Sequence, residues 1–182
     1  MAPFLKEPVV KLNEEYIKEP KQDCEAAGMT EIREIFDQDE KSTICDDILR
    51  ALPSWFGIEA GIIDYVRQVR TMPFYAAFDS GRAVGFVAIK VHNTFTSEVC
   101  VMGVLKEYHR QGIGRKLIEH CEKYCAENKT EFLTVKTLDR SRESKSYEKT
   151  RLFYQAVGFK PLEVFPLLWD ENNPCLFMVK TV

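Results

Sequence analysis

From Met29 onward the apolar and polar positions fall into runs whose period changes, and each change marks an element. Thr30 to Phe36 reads as a strand. Asp37 or Asp39 stands where a cap would start a helix that runs to about Leu52 and stops before Pro53. Ser54-Trp55-Phe56-Gly57 reads as a turn. Apolar residues at Ile58, Ile62, Ile63, Tyr65, Val66 and Val69 have helical spacing, and Pro73 ends that segment. Phe74 to Phe78 and Val84 to Val91 are β-rich runs joined by Asp79-Ser80-Gly81-Arg82, a turn with Gly where positive φ is cheap.

Asn93 and Thr94 turn the chain into a third strand, Thr96 to Leu105, so the centre is an antiparallel meander. Gly112 to Asn128 carries Ile113, Leu117, Cys121, Tyr124 and Cys125 on one stripe, the mark of an amphipathic helix. The β run Phe132 to Thr137 follows it. Strand, helix, strand in this order predicts a right-handed crossover, and with it a parallel pair inside an otherwise antiparallel sheet. Leu138 to Tyr147 is expected as a charged loop, Glu148 to Val157 as a helix, and Lys160 to Leu168 and Cys175 to Val182 as two closing strands.

The first 28 residues break the pattern: they are polar, contain Pro3, Pro8 and Pro20, and read as an extension with a short helix near Leu12 to Lys18. The rest, residues 29–182, is expected to be one domain, since 182 residues suffice for one substantial core and are few for two. Twenty-five Lys and Arg against 28 Asp and Glu give a formal charge of -3, which argues against a nucleic-acid partner. No run approaches the roughly 18 uncharged apolar residues that cross a bilayer, and the N-terminus lacks a signal-peptide pattern. No membrane association and a cytoplasmic location are therefore expected. Six cysteines (Cys24, Cys45, Cys100, Cys121, Cys125, Cys175) lie scattered among apolar residues and read as reduced thiols. Cys121 and Cys125 lie four apart on a helix, but no nearby His or Cys pair completes four ligands, and no metal is expected.

The chemistry concentrates in Tyr108-His109-Arg110-Gln111-Gly112-Ile113-Gly114-Arg115-Lys116-Leu117, where a helix opens on two glycines and two cations. Gly costs roughly 0.5 to 1 kcal/mol against Ala in a helix but bares backbone N–H groups. Cations in a first turn oppose the helix dipole by about 0.3 to 1 kcal/mol each, a penalty that a bound phosphate reverses. Neither nucleotide-loop fingerprint fits, because Leu117 stands where a dinucleotide loop needs its third Gly and no GxxxxGK[ST] occurs.

The stretch Val104 to Ile118, V-L-K-E-Y-H-R-Q-G-I-G-R-K-L-I, resembles the coenzyme A pyrophosphate loop of the GNAT superfamily of acyl-CoA-dependent N-acyltransferases, R/Q-x-x-G-x-G/A. Phe153-Tyr154-Gln155-Ala156-Val157-Gly158-Phe159 resembles the family's F-Y-x-x-x-G-F signature, and the element order from Met29 to Val182 also matches. The resemblance implies an α/β (α+β) fold: a mixed, mainly antiparallel central sheet flanked by helices, with a splayed parallel pair in the middle. It implies acetyl-CoA as co-substrate, held by His109, Arg110, Gln111, Gly112, Ile113, Gly114 and Arg115, by the strand backbone at Val104 and Leu105, and by Tyr147 and Tyr154. His109 replaces the usual Arg or Gln, and Tyr147 replaces an Asn that contacts the pantetheine arm in many members.

The same resemblance assigns the catalytic roles. Backbone N–H groups at Val104 and Leu105 are expected to face the oxyanion, and Tyr154 the leaving thiolate, since a phenol of pKa about 10 lies close to a thiol of about 8.5. Glu98, six residues before Val104, takes the place of a catalytic base. The expected acceptor is a primary amine of a small molecule or protein, entering past Trp55, Phe56, Tyr65, Phe165 and Trp169, with Asp64 and Asp170 orienting its charge. A homodimer is a further expectation, since family members often dimerise. The rival reading is a non-catalytic acyl-CoA sensor or interaction module on the same fold; the presence of Tyr154 and Glu98 favours the enzyme.

Overall fold

A computed structural model describes residues 30–182; the N-terminal extension, its expected short helix and Cys24 lie outside the described residues. Strand β1 (Glu31–Glu34) leads into helix α1 (Gln38–Arg50), which starts where the sequence placed a cap. Asp37 has extended backbone, and its carboxylate accepts from the N–H groups of Asp39 at 3.0 Å and Glu40 at 2.8 Å, two donors that have no partner inside the helix. Helix α2 (Glu59–Gln68) follows and ends in a short 3-10 turn ahead of Pro73.

Strands β2 (Phe74–Asp79), β3 (Arg82–Val91) and β4 (Thr96–Val104) form the antiparallel meander. Helix α3 (Ile113–Glu127) crosses over to β5 (Phe132–Leu138), which lies parallel to β4, and helix α4 (Lys145–Ala156) leads to the hairpin β6 (Lys160–Asp170) and β7 (Asn173–Thr181). The sheet order is β1-β2-β3-β4-β5-β7-β6, so the one parallel pair among the described strands sits mid-sheet between antiparallel neighbours.

Helices cover both faces. The backbone at 103 approaches Ile48 of α1 and Leu52 just after it, whereas that at 85, paired with Val104, approaches Ile113 of α3; adjacent strand positions point to opposite sides. Between these layers Phe74 and Phe86 stack with centroids 5.1 Å apart, and Leu117, Ile118 and Cys121 of α3 are almost wholly buried. Cys45, Cys121, Cys125 and Cys175 are free thiols inside the core, and Cys100 is half-buried.

Two departures from the expected elements bear on the site. Helix α4 begins at Lys145 rather than Glu148, because Ser144 accepts a hydrogen bond from the Tyr147 N–H at 3.4 Å; the charged loop is correspondingly shorter and Tyr147 is helical. The polar run Ser144 to Ser146 hides this start, since a capping serine looks like loop until its partner is seen. The second is β6, which extends to Asp170 and pairs irregularly with β7 between Phe165 and Asp170.

The cap of α1 gives a direct test. Asp37→Ala should lower the unfolding free energy by about 1 kcal/mol and the thermal midpoint by roughly 2–4 °C in calorimetry. A midpoint unchanged within about 1 °C would mean that water satisfies those N–H groups equally well.

Candidate active site

The site is built around a gap in the sheet. β4 and β5 are hydrogen-bonded only from Thr96↔Phe132 to Val99↔Val135; beyond Val99, β4 stays paired with β3 while β5 stays with β7. The register of β3 with β4 slips at the same point, so that Ile89 faces Val99, Ala88 faces Val101 and Cys100 is the extra residue of a bulge. A bulge sharpens local twist and re-aims a strand, which here turns β4 away from β5.

The gap exposes main-chain groups of β4. Leu105 N–H donates to the Val84 carbonyl at 2.8 Å, which corrects its expected role: it points into the sheet. By strand alternation Val104, and Met102 two residues earlier, turn N–H and C=O toward the gap. Met102 was missed in the sequence, although the same alternation signals it.

At the mouth of the gap the chain makes the glycine turn. Gly112 has φ 83° and ψ −6°, a left-handed conformation, and Arg110 has φ 66°. A Cβ at 112 would meet nothing, so only its backbone angle requires Gly. Gly114 differs: a Cβ there would lie 3.1 Å from the Phe153 ring and 3.3 Å from Met102, so its small size lets α3 start against α4 and β4. Ile113 is buried in the core and contributes only backbone to the loop.

Among the described residues no backbone N–H from Arg110 to Arg115 finds a protein acceptor; the first bond of α3 is Lys116 N–H to the Gly112 carbonyl. Those donors, with exposed Arg110 and Lys116, fit a pyrophosphate. Gln111 instead bonds the Glu107 carbonyl at 3.0 Å, and Arg115 donates to the Ala156 carbonyl at the end of α4 at 3.3 Å.

His109 stands elsewhere than its motif position suggests. Its Nε2 lies 2.7 Å from the Val104 carbonyl, which can only accept, so Nε2 carries the proton; the ring meets Trp55 edge-on at 5.8 Å. Trp55 in turn donates its indole N–H to Thr150 at 3.0 Å, and Tyr147 donates its hydroxyl to the Trp55 carbonyl at 2.8 Å. The α1–α2 connection is thus strapped to α4 beside the gap. The Tyr147 hydroxyl proton serves that strap.

Tyr154 projects from α4 with only 7% of its surface exposed, edge-on to Phe159, and its hydroxyl has no protein partner among the described residues. Burial pushes this phenol well above its ordinary pKa, so it holds its proton throughout the working range and acts as a hydrogen-bond donor rather than a ready acid. Tyr65 on α2 is raised for the same first reason, and its ring meets Phe56 edge-on.

Glu98 is the other expected catalytic group, and it is not a bare carboxylate. It is 6% exposed, and its Oε2 accepts from Lys136 Nζ at 2.6 Å and faces His92 Nε2 at 2.5 Å. A pocket of about 360 Å³ opens over this cluster, with His92 and Lys136 among its polar residues and Phe165, Leu168 and Phe177 as an apolar wall. Phe165 is here as expected. Asp64 accepts from Arg67 at 2.7 Å and Gln68 at 2.5 Å, and Asp170 closes the β6–β7 turn through the Asn172 N–H at 2.8 Å and Asn173. His92 and Lys136 were missed; the signal for His92 was its place six residues from Glu98 across the Asn93-Thr94 turn.

A splayed mixed sheet followed by a glycine turn with free N–H donors is the frame of the candidate site, and comparisons with known proteins give its family. The acetyltransferase (GNAT) domain profile matches residues 70–161, and the chain belongs to that family. It is 27% identical over 132 residues to an uncharacterized N-acetyltransferase of Chlorobaculum tepidum, covering 66% of this chain and 75% of that one. Its fold is shared with a GNAT-family protein from Desulfovibrio desulfuricans (TM-score 0.71, 13% identity, 84% of this chain and 98% of that chain). An aminoglycoside 6'-N-acetyltransferase solved with coenzyme A is similar too (TM-score 0.66, 21% identity, 83% and 96%).

The turn can be probed alone. Gly112→Ala should cost about 1–2 kcal/mol from its left-handed backbone, whereas Gly112→Asn, which tolerates that conformation, should lose less. Equal denaturation midpoints for the two variants would show that the turn relaxes out of this geometry.

Proposed function

We propose that this protein transfers the acetyl group of acetyl-CoA to a primary amine of a small molecule or protein, in the cytoplasm. The observation that carries the reading is the run of unpartnered N–H groups from Arg110 to Arg115 at the end of β4, beside the gap between β4 and β5. The coenzyme A in the aminoglycoside enzyme's crystal structure supports the choice of co-substrate. Among the described residues no helix is long and apolar enough to cross a membrane.

Bound at the gap, acetyl-CoA supplies a thioester carbonyl carbon. The chain supplies the rest: N–H donors at Arg110 to Arg115 hold the phosphates, Met102 and Val104 N–H groups face charge developing on the carbonyl oxygen, and the Tyr154 hydroxyl donates to the departing sulfur. The amine, with a pKa near 10.4 if lysine-like, must lose a proton before it attacks. The pocket over Glu98, with one apolar wall, suits an amine bearing an apolar substituent.

A thermal shift with acetyl-CoA and thiol release across an amine panel separate turnover from mere binding. At 100 times its dissociation constant the co-substrate should add roughly 2.7 kcal/mol, and no stabilisation at saturation would end both readings. Tyr154→Phe should keep stability within about 1 kcal/mol, because its hydroxyl has no protein partner, yet lower kcat by roughly 10²-fold. Stabilisation without thiol release from any amine would favour the non-catalytic module.

A further inference from the structure

Resting on that reading, we propose that His92 is the group that removes the acceptor's proton, and that Glu98 is a positioning residue that orients the imidazole. Three observations converge. His92 lines the 360 Å³ pocket, whereas Glu98 does not. The Glu98 side chain is 7% exposed against 33% for His92, so an amine in the pocket reaches the ring first. A carboxylate oxygen only accepts, so Nε2, 2.5 Å from Glu98 Oε2, carries the ring proton and Nδ1 keeps its lone pair when the ring is neutral.

The hairpin that presents His92 is held locally. Its backbone N–H donates to the Thr96 carbonyl at 3.0 Å, and the Asn93 side chain accepts from the N–H groups of Phe95 at 2.8 Å and Thr96 at 3.0 Å. Lys136 Nζ, 2.6 Å from the same Oε2, fixes the carboxylate from β5. The other groups around the pair offer no competing base. Lys90 on β3 stands opposite Glu98 in the strand register, and Asp64 on α2 is bonded to Arg67 and Gln68. Burial holds Cys100 and Cys175 up at about 11 and Tyr65 above its usual range, so all three stay protonated and neutral.

The step balances. An N–H bond of the acceptor ammonium breaks, its proton passes to His92 Nδ1, and the freed nitrogen lone pair forms the new C–N bond as the C–S bond breaks. The sulfur leaves with the electron pair of that bond, hydrogen-bonded by the Tyr154 hydroxyl. It takes up the second N–H proton that the acylated nitrogen sheds, so that the products are a neutral amide and the free thiol of coenzyme A. The imidazolium charge rests against Glu98 and returns its proton to water at the exposed edge of the ring.

The test compares His92→Gln, His92→Gly and Glu98→Gln with wild type, using the best amine of the panel, with thermal stabilisation by coenzyme A as the binding control. His92→Gln should lower kcat/KM by roughly 10²-fold or more, leave the coenzyme A shift unchanged, and lose the fall in rate toward acid that imidazole protonation imposes. Free imidazole should restore part of the rate to His92→Gly. Glu98→Gln should lose less and keep the acid fall. Nitrogen-15 NMR of the protein without substrates should show His92 with its proton on Nε2. A His92→Gln rate within twofold of wild type, an acid fall lost only in Glu98→Gln, or a proton on Nδ1 would each overturn the assignment while leaving the acetyltransferase reading intact. Wild type that binds coenzyme A and acetylates no amine would overturn that reading, and this proposal with it.

Discussion

Everything at this site depends on one failure of pairing: after Val99, β4 and β5 each keep their outer neighbour and lose each other. Buried main-chain donors and acceptors cost several kcal/mol when left without a partner or water, so a sheet opens in its middle only where a ligand or solvent satisfies it. The bulge at Cys100 starts that opening, and the α1 and α3 layers on the two faces hold the separated strands in place. The free donors of the glycine turn and the Val104 carbonyl bonded by His109 lie at the end of β4 beside this gap.

The two ends of the gap differ in how polar groups are satisfied. At the turn, N–H groups are left without protein partners, which suits a polyanion arriving from water. At the closed end Glu98, His92 and Lys136 are bonded through one carboxylate oxygen beside an apolar wall. A charge pair at such low exposure persists only with close geometry. The strap of Trp55, Thr150 and Tyr147 lies between these ends and ties the helix of Tyr154 to the layer that carries Tyr65.

Much of this was legible along the chain. The meander, the crossover helix and the parallel pair follow from local period, caps and turn residues, which act over a few positions and need no distant partner. The glycine loop was legible for the same reason, since a poor helix start with cations is a local anomaly. The sequence did not separate the reasons for its glycines: Gly112 answers to its own backbone angle, Gly114 to a ring contributed by a helix 39 residues later, as the contact with Phe153 shows. Helix α4 was placed three residues late because a serine cap and a serine in a loop look alike until the bonded N–H is known.

The sequence by itself determined the order and type of the elements and the glycine turn that opens α3, because each is encoded by neighbours in the chain. Only the tertiary structure decided which of these groups are free to act. Leu105 N–H, the Tyr147 hydroxyl, Asp64 and Asp170 all looked available and are all bonded. Glu98 looked isolated and is joined by His92 across a hairpin and by Lys136, 38 residues on. Hydrogen bonds are competitive, and a polar group takes whichever partner folding brings within 3 Å or so. That competition is settled between elements distant in sequence, where no local pattern records it.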